Sequence, residues 1–291
     1  MKVDSMDFYG SIKVERLDSL PVWDPSYVGR LIYNTADNTL YVGKATSFEA
    51  AGGSSGSAIG IRDTYRNLVA SNSGNYIVNL TASEVILQTV AGVPYLASSV
   101  SISPDIRVSG VNGLDTGSRA VGNVYYLYII YNGATVAGLF SLSATSPTMP
   151  SGYTYKALVS SVFYHYGAAF STFSQVDNKV AHGEGELLSS GTEISYTALT
   201  MVNVPTTAKL VTGYMTVSGL VNETYGQGWV ASNSSGLGAQ YISSYRTEVG
   251  TIHGYTTSFR LPILVSRTIY YKVAYSGPGC VLNVKISGFE F

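Results

Sequence analysis

The chain has 291 residues, 45% of them hydrophobic and 12% charged, about half the usual charged share. Net charge is −1 with lysines and arginines scattered, which excludes the basic patch or stripe of a nucleic-acid binder, and one cysteine, Cys280, excludes an internal disulfide or a four-cysteine zinc site. No apolar run approaches the roughly 20 residues of a membrane-crossing helix, and no basic-then-apolar leader opens the chain, so the excess apolar surface is expected in protein–protein contacts or, alternatively, in one large core.

With 24 tyrosines and 31 glycines, the composition favours strands and tight turns. In MDFYGSIKVERL, Phe8, Ile12 and Val14 at even spacing mark a first strand. In GRLIYNTADNTLYVG, two strand-like runs, Arg30–Tyr33 and Thr39–Val42, flank a polar turn whose Asn and Asp side chains bond back to the backbone, which predicts a hairpin. A hairpin alone is marginal in water, so this one must dock on something. The Gly/Ser run AAGGSSGSAIG then reads as a linker, and GIRDTYRNLVAS, with Ile61, Tyr65 and Leu68 at helical spacing, as the one short helix.

From Tyr76 onward, short strands follow one another at sandwich or barrel spacing. The run VYYLYIIYNG is apolar on both of its alternating faces, Val124, Tyr126, Tyr128 and Ile130 on one and Tyr125, Leu127, Ile129 and Tyr131 on the other. A facing sheet would cover one side; a neighbouring subunit or a third layer is left to cover the other, and the low charge favours the subunit. Asn132–Gly133 predicts a tight type I′ turn into ATVAGLFSLS. After YTYKALVSSVFYHYG, the stretch AHGEGELL reads as an interdomain turn, and from about residue 183 further strands continue to VLNVKISGF, a half-buried strand with Leu282, Val284 and Ile286 on one side. The expected fold is all-β: antiparallel β-sandwich domains of jelly-roll or Greek-key type over residues 76–182 and 183–291, preceded by a hairpin-bearing appendage at 1–50 and a linker with a short helix at 51–75.

Two stretches carry a resemblance. LDSLPVWDPSYVGRLIYNTADNTLYVGKATSF resembles a segment near the ends of bacteriophage fibre and tail proteins, through Gly29, Ile32, Tyr33, Asn34, Thr35, Asp37, Asn38, Thr39, Leu40 and Tyr41. SGVNGLDTGSRAVGNVYYLYIIYNG, followed by the run Met149–Lys156, MPSGYTYK, is similar to a β module of phage virion proteins, with Met149 where that module has Leu. The resemblance implies a homotrimer projecting from a tail or capsid at the virion surface, assembled in the host cytoplasm, with phage tail or capsid proteins as partners and host-surface polysaccharide as a further candidate. It implies that Trp23, Ile32, Tyr33, Leu40 and Tyr41 belong to the particle-attachment segment. The chain departs from large fibres in lacking a long triple-stranded stalk, His-x-His repeats and an evident self-cleaving C-terminal chaperone, so a short fibre, spike or head decoration fits its length better.

Enzymatic motifs are missing: no Gly-x-Ser-x-Gly elbow, Walker loop, His-Glu-x-x-His or dinucleotide fingerprint occurs, and no cofactor or metal site is expected. His182, Glu184 and Glu186 at alternate positions could ligand a metal or form a carboxylate pair, but their Gly-rich setting favours a solvated loop. His165, flanked by aromatics, is expected to pack, and Cys280 to be a buried small hydrophobe. A depolymerase would need two carboxylates facing a sugar, and no pair stands out among 18 acidic residues. For glycan binding the candidates are Tyr225, Trp229, Tyr241, Tyr245, Arg246, His253 and Tyr255, rigid rings among small polar residues. The alternative for each is a place in the core or a subunit interface. The reading is therefore a non-enzymatic virion structural protein; a depolymerase and a monomeric carbohydrate-binding module are the alternatives.

Overall fold

The structure is a computed structural model that describes residues 14–50, 65–72, 75–219, 225–245, 255–276 and 279–291. It divides into two compact units, Met1–Ile59 and Gly60–Phe291. The described residues fold into strands and their connections, with 58% strand and no α-helix, as the composition implies.

In the first unit, strands β1 (Glu15–Leu17), β2 (Leu31–Asn34), β3 (Thr39–Gly43) and β4 (Phe48–Ala50) form one sheet in chain order, with β1 parallel to β2 and the other pairs antiparallel. Of the first expected strand, MDFYGSIKVERL, only residues 14–17 are among the described residues, and Glu15–Leu17 form β1. The hairpin is present, and its turn is tied by Asp37: the carboxylate accepts from Asn34 Nδ2, Thr39 N and the Tyr41 hydroxyl at 3.0, 3.0 and 2.9 Å. Asn38 takes φ +56, a left-handed conformation that Asn tolerates. At Gly43 a Cβ would meet the Tyr27 carbonyl oxygen at 1.9 Å, so glycine is what lets the 3-10 turn Pro25–Tyr27 lie over β3.

The second unit begins with β5 (Tyr65–Arg66), β6 (Val69–Asn72), β7 (Asn79–Gln88), β8 (Pro94–Ile102), β9 (Gly113–Leu114), β10 (Asn123–Tyr131), β11 (Val136–Ser141), β12 (Tyr155–Tyr164) and β13 (Phe173–Val176). The expected short helix is absent from its described part, which forms β5 and β6. Asn67, at φ +53, breaks the chain between them, and Leu68, Ala70 and Asn72 are then buried with the period of two of a strand. Strands β9-β11-β10-β12 form one layer, and β8-β7-β6-β13 the other, with β5 beside β7. Between them Tyr125, Tyr164, Phe140 and Phe170 make an edge-to-face aromatic core, Tyr164 and Phe170 lying 5.6 Å apart at 84°.

The expected subunit cover for β10 is replaced by the chain's own. Tyr126, Tyr128 and Ile130, with Ala137 and Leu139 of β11, form a second buried cluster, flanked in the sheet by Leu158 of β12 and roofed by Ala144, Met149 and Tyr153. The loop between β11 and β12 thus folds back over the sheet, pinned by a 2.8 Å hydrogen bond from the Tyr128 hydroxyl to the Ser143 carbonyl. Loop residues Met149 and Tyr153 fill the space because they are apolar bodies at the end of a long connection. The β10–β11 connection differs too: it runs Asn132–Thr135, only Gly133 has positive φ, and Asn132 Oδ1 accepts from the Ala134 and Thr135 amides. An Asx turn has replaced the type I′ turn, and the antiparallel pairing is kept.

Strands β14 (Lys179–Gly191), β15 (Thr197–Thr200), β16 (Leu210–Gly219), β17 (Tyr225–Ala231), β18 (Gln240–Tyr245), β19 (Tyr255–Pro262), β20 (Thr268–Ser276) and β21 (Cys280–Glu290) complete the unit. Numbered one to eight, they pair as 6-3-8-1 in one sheet, β19-β16-β21-β14, and 2-7-4-5 in the other, β15-β20-β17-β18, all antiparallel. That is the strand order of an eight-stranded jelly roll. Val211, Met215, Val217, Val230, Val273, Leu282, Val284 and Ile286 fill its interior.

The residue 182/183 division falls inside β14, whose first residues pair with both β13 and β21 and carry the first sandwich's edge into the jelly roll. AHGEGELL is therefore strand rather than turn. Its glycines sit at register shifts against β21, where an extra residue bulges out, which is why the segment looked like a loop. A second tie joins the halves: the Tyr126 hydroxyl lies 2.7 Å from Thr206 Oγ1 and accepts from the Thr206 amide at 3.1 Å.

Candidate functional site

The sheet β15-β20-β17-β18 has one face on the jelly-roll core and one in solvent, and the sequence YGQGW of β17 explains how it sits. Gly226 and Gly228 point inward: a Cβ on Gly226 would lie 2.7 Å from the Cys280 Cβ, and one on Gly228 would lie 2.4 Å from Leu282 Cδ1. Their bare backbones let β17 press onto β21, while Tyr225, Gln227 and Trp229 alternate onto the outer face. Cys280 is fully buried beneath, its thiol pushed up by burial and directed at the Gln227 and Ala274 carbonyls.

Register then assembles a row. Trp229 stands opposite Tyr241 of β18 on one side and Lys272 of β20 on the other; beyond Lys272, at the step before Thr197↔Tyr271, stands Tyr196. Tyr196, Lys272, Trp229 and Tyr241 so form a single line across all four strands. The Trp229 and Tyr241 rings are 6.3 Å apart and inclined by 30°, and Tyr241 is 63% exposed. The Lys272 ammonium lies 4.8 Å from the ring centroids of both Tyr196 and Trp229, a double cation–π contact that holds its stem along the sheet. Tyr196 is braced by the β17–β18 loop: Gly236, at φ +83, backs onto its ring, and Asn233 Oδ1 holds the loop by accepting from the Ser235 and Leu237 amides at 3.1 and 2.8 Å. The next row along the strands is small and polar, Ala274, Gln227 and Ser243.

Of the glycan candidates, the structure brings together Trp229 and Tyr241. Tyr225 and Tyr245 pair two rows away, and Tyr255 opens β19 in the opposite sheet, so neither place completes the line. Arg246 and His253 lie outside the described residues. Tyr196 and Lys272 were missed, because a cross-strand row leaves no trace in local sequence spacing.

The attachment candidates serve the first unit's own fold. Ile32 is wholly buried, Leu40 is half-buried, the Tyr33 hydroxyl reaches Asn38 Oδ1 at 3.2 Å, and Tyr41 bonds Asp37. Trp23 is partly buried, with an indole N–H that finds no hydrogen-bond partner among the described residues.

A cleft of about 390 Å³ lies where β12, β14 and β21 meet, lined by His165, Tyr166, His182, Glu186, Asn203 and Phe289 among others. His182 packs on Phe289 with ring centroids 6.1 Å apart and turns Nδ1 to the Gly183 carbonyl at 2.7 Å. Burial holds its pKa below the ordinary histidine value, so the ring is neutral. His165 accepts the Gly167 amide through Nδ1 at 3.0 Å and is exposed rather than packed away, because the turn after β12 carries it to the rim. Glu184 is drawn off by Tyr214 and Lys285, which hold its carboxyl below the usual range. Among the described residues no three His, Cys, Asp or Glu side chains gather as metal ligands.

No family model matches the chain, and no curated protein matches it. Among solved structures, a chain of the infectious bursal virus derived T=1 particles is similar over 79% of this chain and 66% of its own length, with a TM-score of 0.23 and 6% identity. The chain thus spans just under two thirds of that neighbour. A superposition that loose bears on neither fold nor function.

Proposed function

We propose that this chain is a structural component of a phage-like virion: a short homotrimeric fibre, spike or head decoration at the virion surface, anchored by residues 1–50 and taking part in host attachment. The supporting observation is the division of labour in the chain. A separate compact unit carries the fibre-like hairpin, and a second unit carries two sandwiches ending in a complete jelly roll with an aromatic outer face. Tail or capsid proteins are the anchoring partners, and no cofactor is needed.

A depolymerase is the weaker reading. A glycosidase needs a carboxylic acid with a raised pKa to protonate the leaving oxygen. In the cleft, Glu184 is shifted the other way by its hydrogen bonds to Tyr214 and Lys285. A monomeric carbohydrate-binding module is distinguished by assembly state. Light scattering on the purified chain is expected to give three times the 31.0 kDa chain mass at micromolar concentration; a stable 31.0 kDa species would overturn the trimer.

A further inference from the structure

We propose that the row Tyr196–Lys272–Trp229–Tyr241 is a binding site for an acidic oligosaccharide.

Three observations converge. The first is length. The row crosses four strands, so at roughly 4.8 Å per strand step it runs about 14 Å. That is the reach of several linked sugar units rather than of one ring. The second is chemistry. A pyranose turns axial C–H bonds to one face and hydroxyls to its rim. The exposed Tyr241 ring, with the half-buried Trp229 ring beside it, fits the former, and the Gln227 and Ser243 side chains in the adjoining row fit the latter. Rings give contact area at low entropic cost because each has only two side-chain torsions to fix.

The third is charge. Lys272 is the only charged residue in β15, β17, β18 and β20, and none of the four strands contains an aspartate or glutamate. Its ammonium is fixed between two rings, without a carboxylate in the sheet to neutralise it. A neutral sugar's hydroxyls accept an ordinary hydrogen bond from this ammonium, whereas a uronate or sialate carboxylate meets it in the stronger, charge-assisted one.

Two other occupants fit less well. A single-stranded nucleic acid also stacks bases on rings, but it needs a basic groove that follows its phosphates, and this sheet offers one cation. A protein partner of standard size would need a broad apolar patch, whereas one flank of the row is Ala274, Gln227 and Ser243 and the other offers a single ring, Tyr270, between Ala198 and Ala231. The inference stands apart from the virion reading, since it concerns binding by the purified chain whatever particle that chain belongs to.

The test uses the full-length chain carrying W23F, so that Trp229 is the sole indole. Tetrasaccharides of galacturonate, hyaluronan and oligosialate, a neutral maltotetraose and a short oligothymidylate are titrated by calorimetry and by fluorescence. At least one acidic oligomer is expected to bind and perturb Trp229 emission, with maltotetraose weaker by about tenfold or more. K272Q should cost that acidic oligomer about tenfold and erase its advantage over maltotetraose, and raised salt should do the same in part. Y241A, at an exposed position that the fold does not depend on, should weaken all sugars together. Equal binding of acidic and neutral tetramers, unchanged by K272Q, would overturn the acidic assignment while leaving a sugar site. Binding by no sugar would overturn the site, and tighter binding of the oligothymidylate would show that the ligand class is wrong.

Discussion

The aromatic row depends on two glycines beneath it, and Gly228→Ala measures that dependence. The new Cβ would stand 2.4 Å from Leu282 Cδ1 and 3.3 Å from its Cγ, where ordinary contact is about 3.4 Å or more. Leu282 is completely buried between the sheets, so roughly 1 Å of relief has to come from a strained rotamer or from moving β17 off β21. Overpacking of this kind costs about 1–3 kcal/mol. Alanine recovers about 0.4–1 kcal/mol by restricting the unfolded chain. The net expectation is a loss of between about 0 and about 2.6 kcal/mol. Leu282→Ala alone should cost about 2–5 kcal/mol through the cavity it leaves. In the double variant the new methyl enters space that Leu282 has vacated, so the two losses should not add. Urea unfolding followed by Trp229 emission in a W23F background gives all four corners of the cycle. A coupling of at least about 0.5 kcal/mol in the compensating direction is expected. Additivity within about 0.3 kcal/mol, or a stabilising Gly228→Ala, would refute the claim that glycine sets the sheet spacing.

Tyr126→Phe removes the hydroxyl that Thr206 engages through Oγ1 and amide, and should lower the urea midpoint by the equivalent of about 0.5–1.5 kcal/mol with an unchanged m-value. His182 is half-buried, and desolvation holds its folded pKa below its unfolded value near 6.5, so the unfolded state binds its proton first as pH falls. Stability should be fully present above about pH 6.5 and decline as pH drops through the folded pKa, and His182→Gln should flatten that decline in pH-dependent urea unfolding. Asp37→Ala removes the acceptor for three hairpin-turn donors and should unfold the first unit at lower urea, read by Trp23 emission, with the Trp229 transition unmoved.

Much of the architecture was legible because strands announce themselves by alternation. Leu282, Val284 and Ile286 gave β21 its buried side, and the polar NTADN turn gave the hairpin. The failures share a cause, namely local signals overruled by distant packing. Tyr65 and Leu68 sit three apart as on a helix, yet a left-handed Asn67 and pairing with β7 make both flanks strands. The glycines of AHGEGELL read as a turn but mark bulges in a long strand, a distinction that only its partner β21 reveals. For the doubly apolar β10, the sequence showed that a cover was required without naming it; Met149 and Tyr153 come from the loop before β12, and no local spacing marks its return over the sheet. Trp229 and Tyr241 were visible as aromatic candidates. Their partners Tyr196 and Lys272 were not, because jelly-roll pairing brings strands two and seven of the domain beside strand four only in three dimensions.

The same packing shapes the functional proposal. With both faces of β10 covered from within the chain, apolar composition alone no longer calls for a neighbouring subunit. Assembly and attachment rest on the N-terminal resemblance and on the separation of the two units. The most direct measurement is therefore imaging of purified particles with a gold label on the C-terminal jelly roll of this chain. Label projecting from the tail or head surface, lost when residues 1–50 are deleted, is the predicted result. Particles that carry no label, or that keep it after the deletion, would contradict the account.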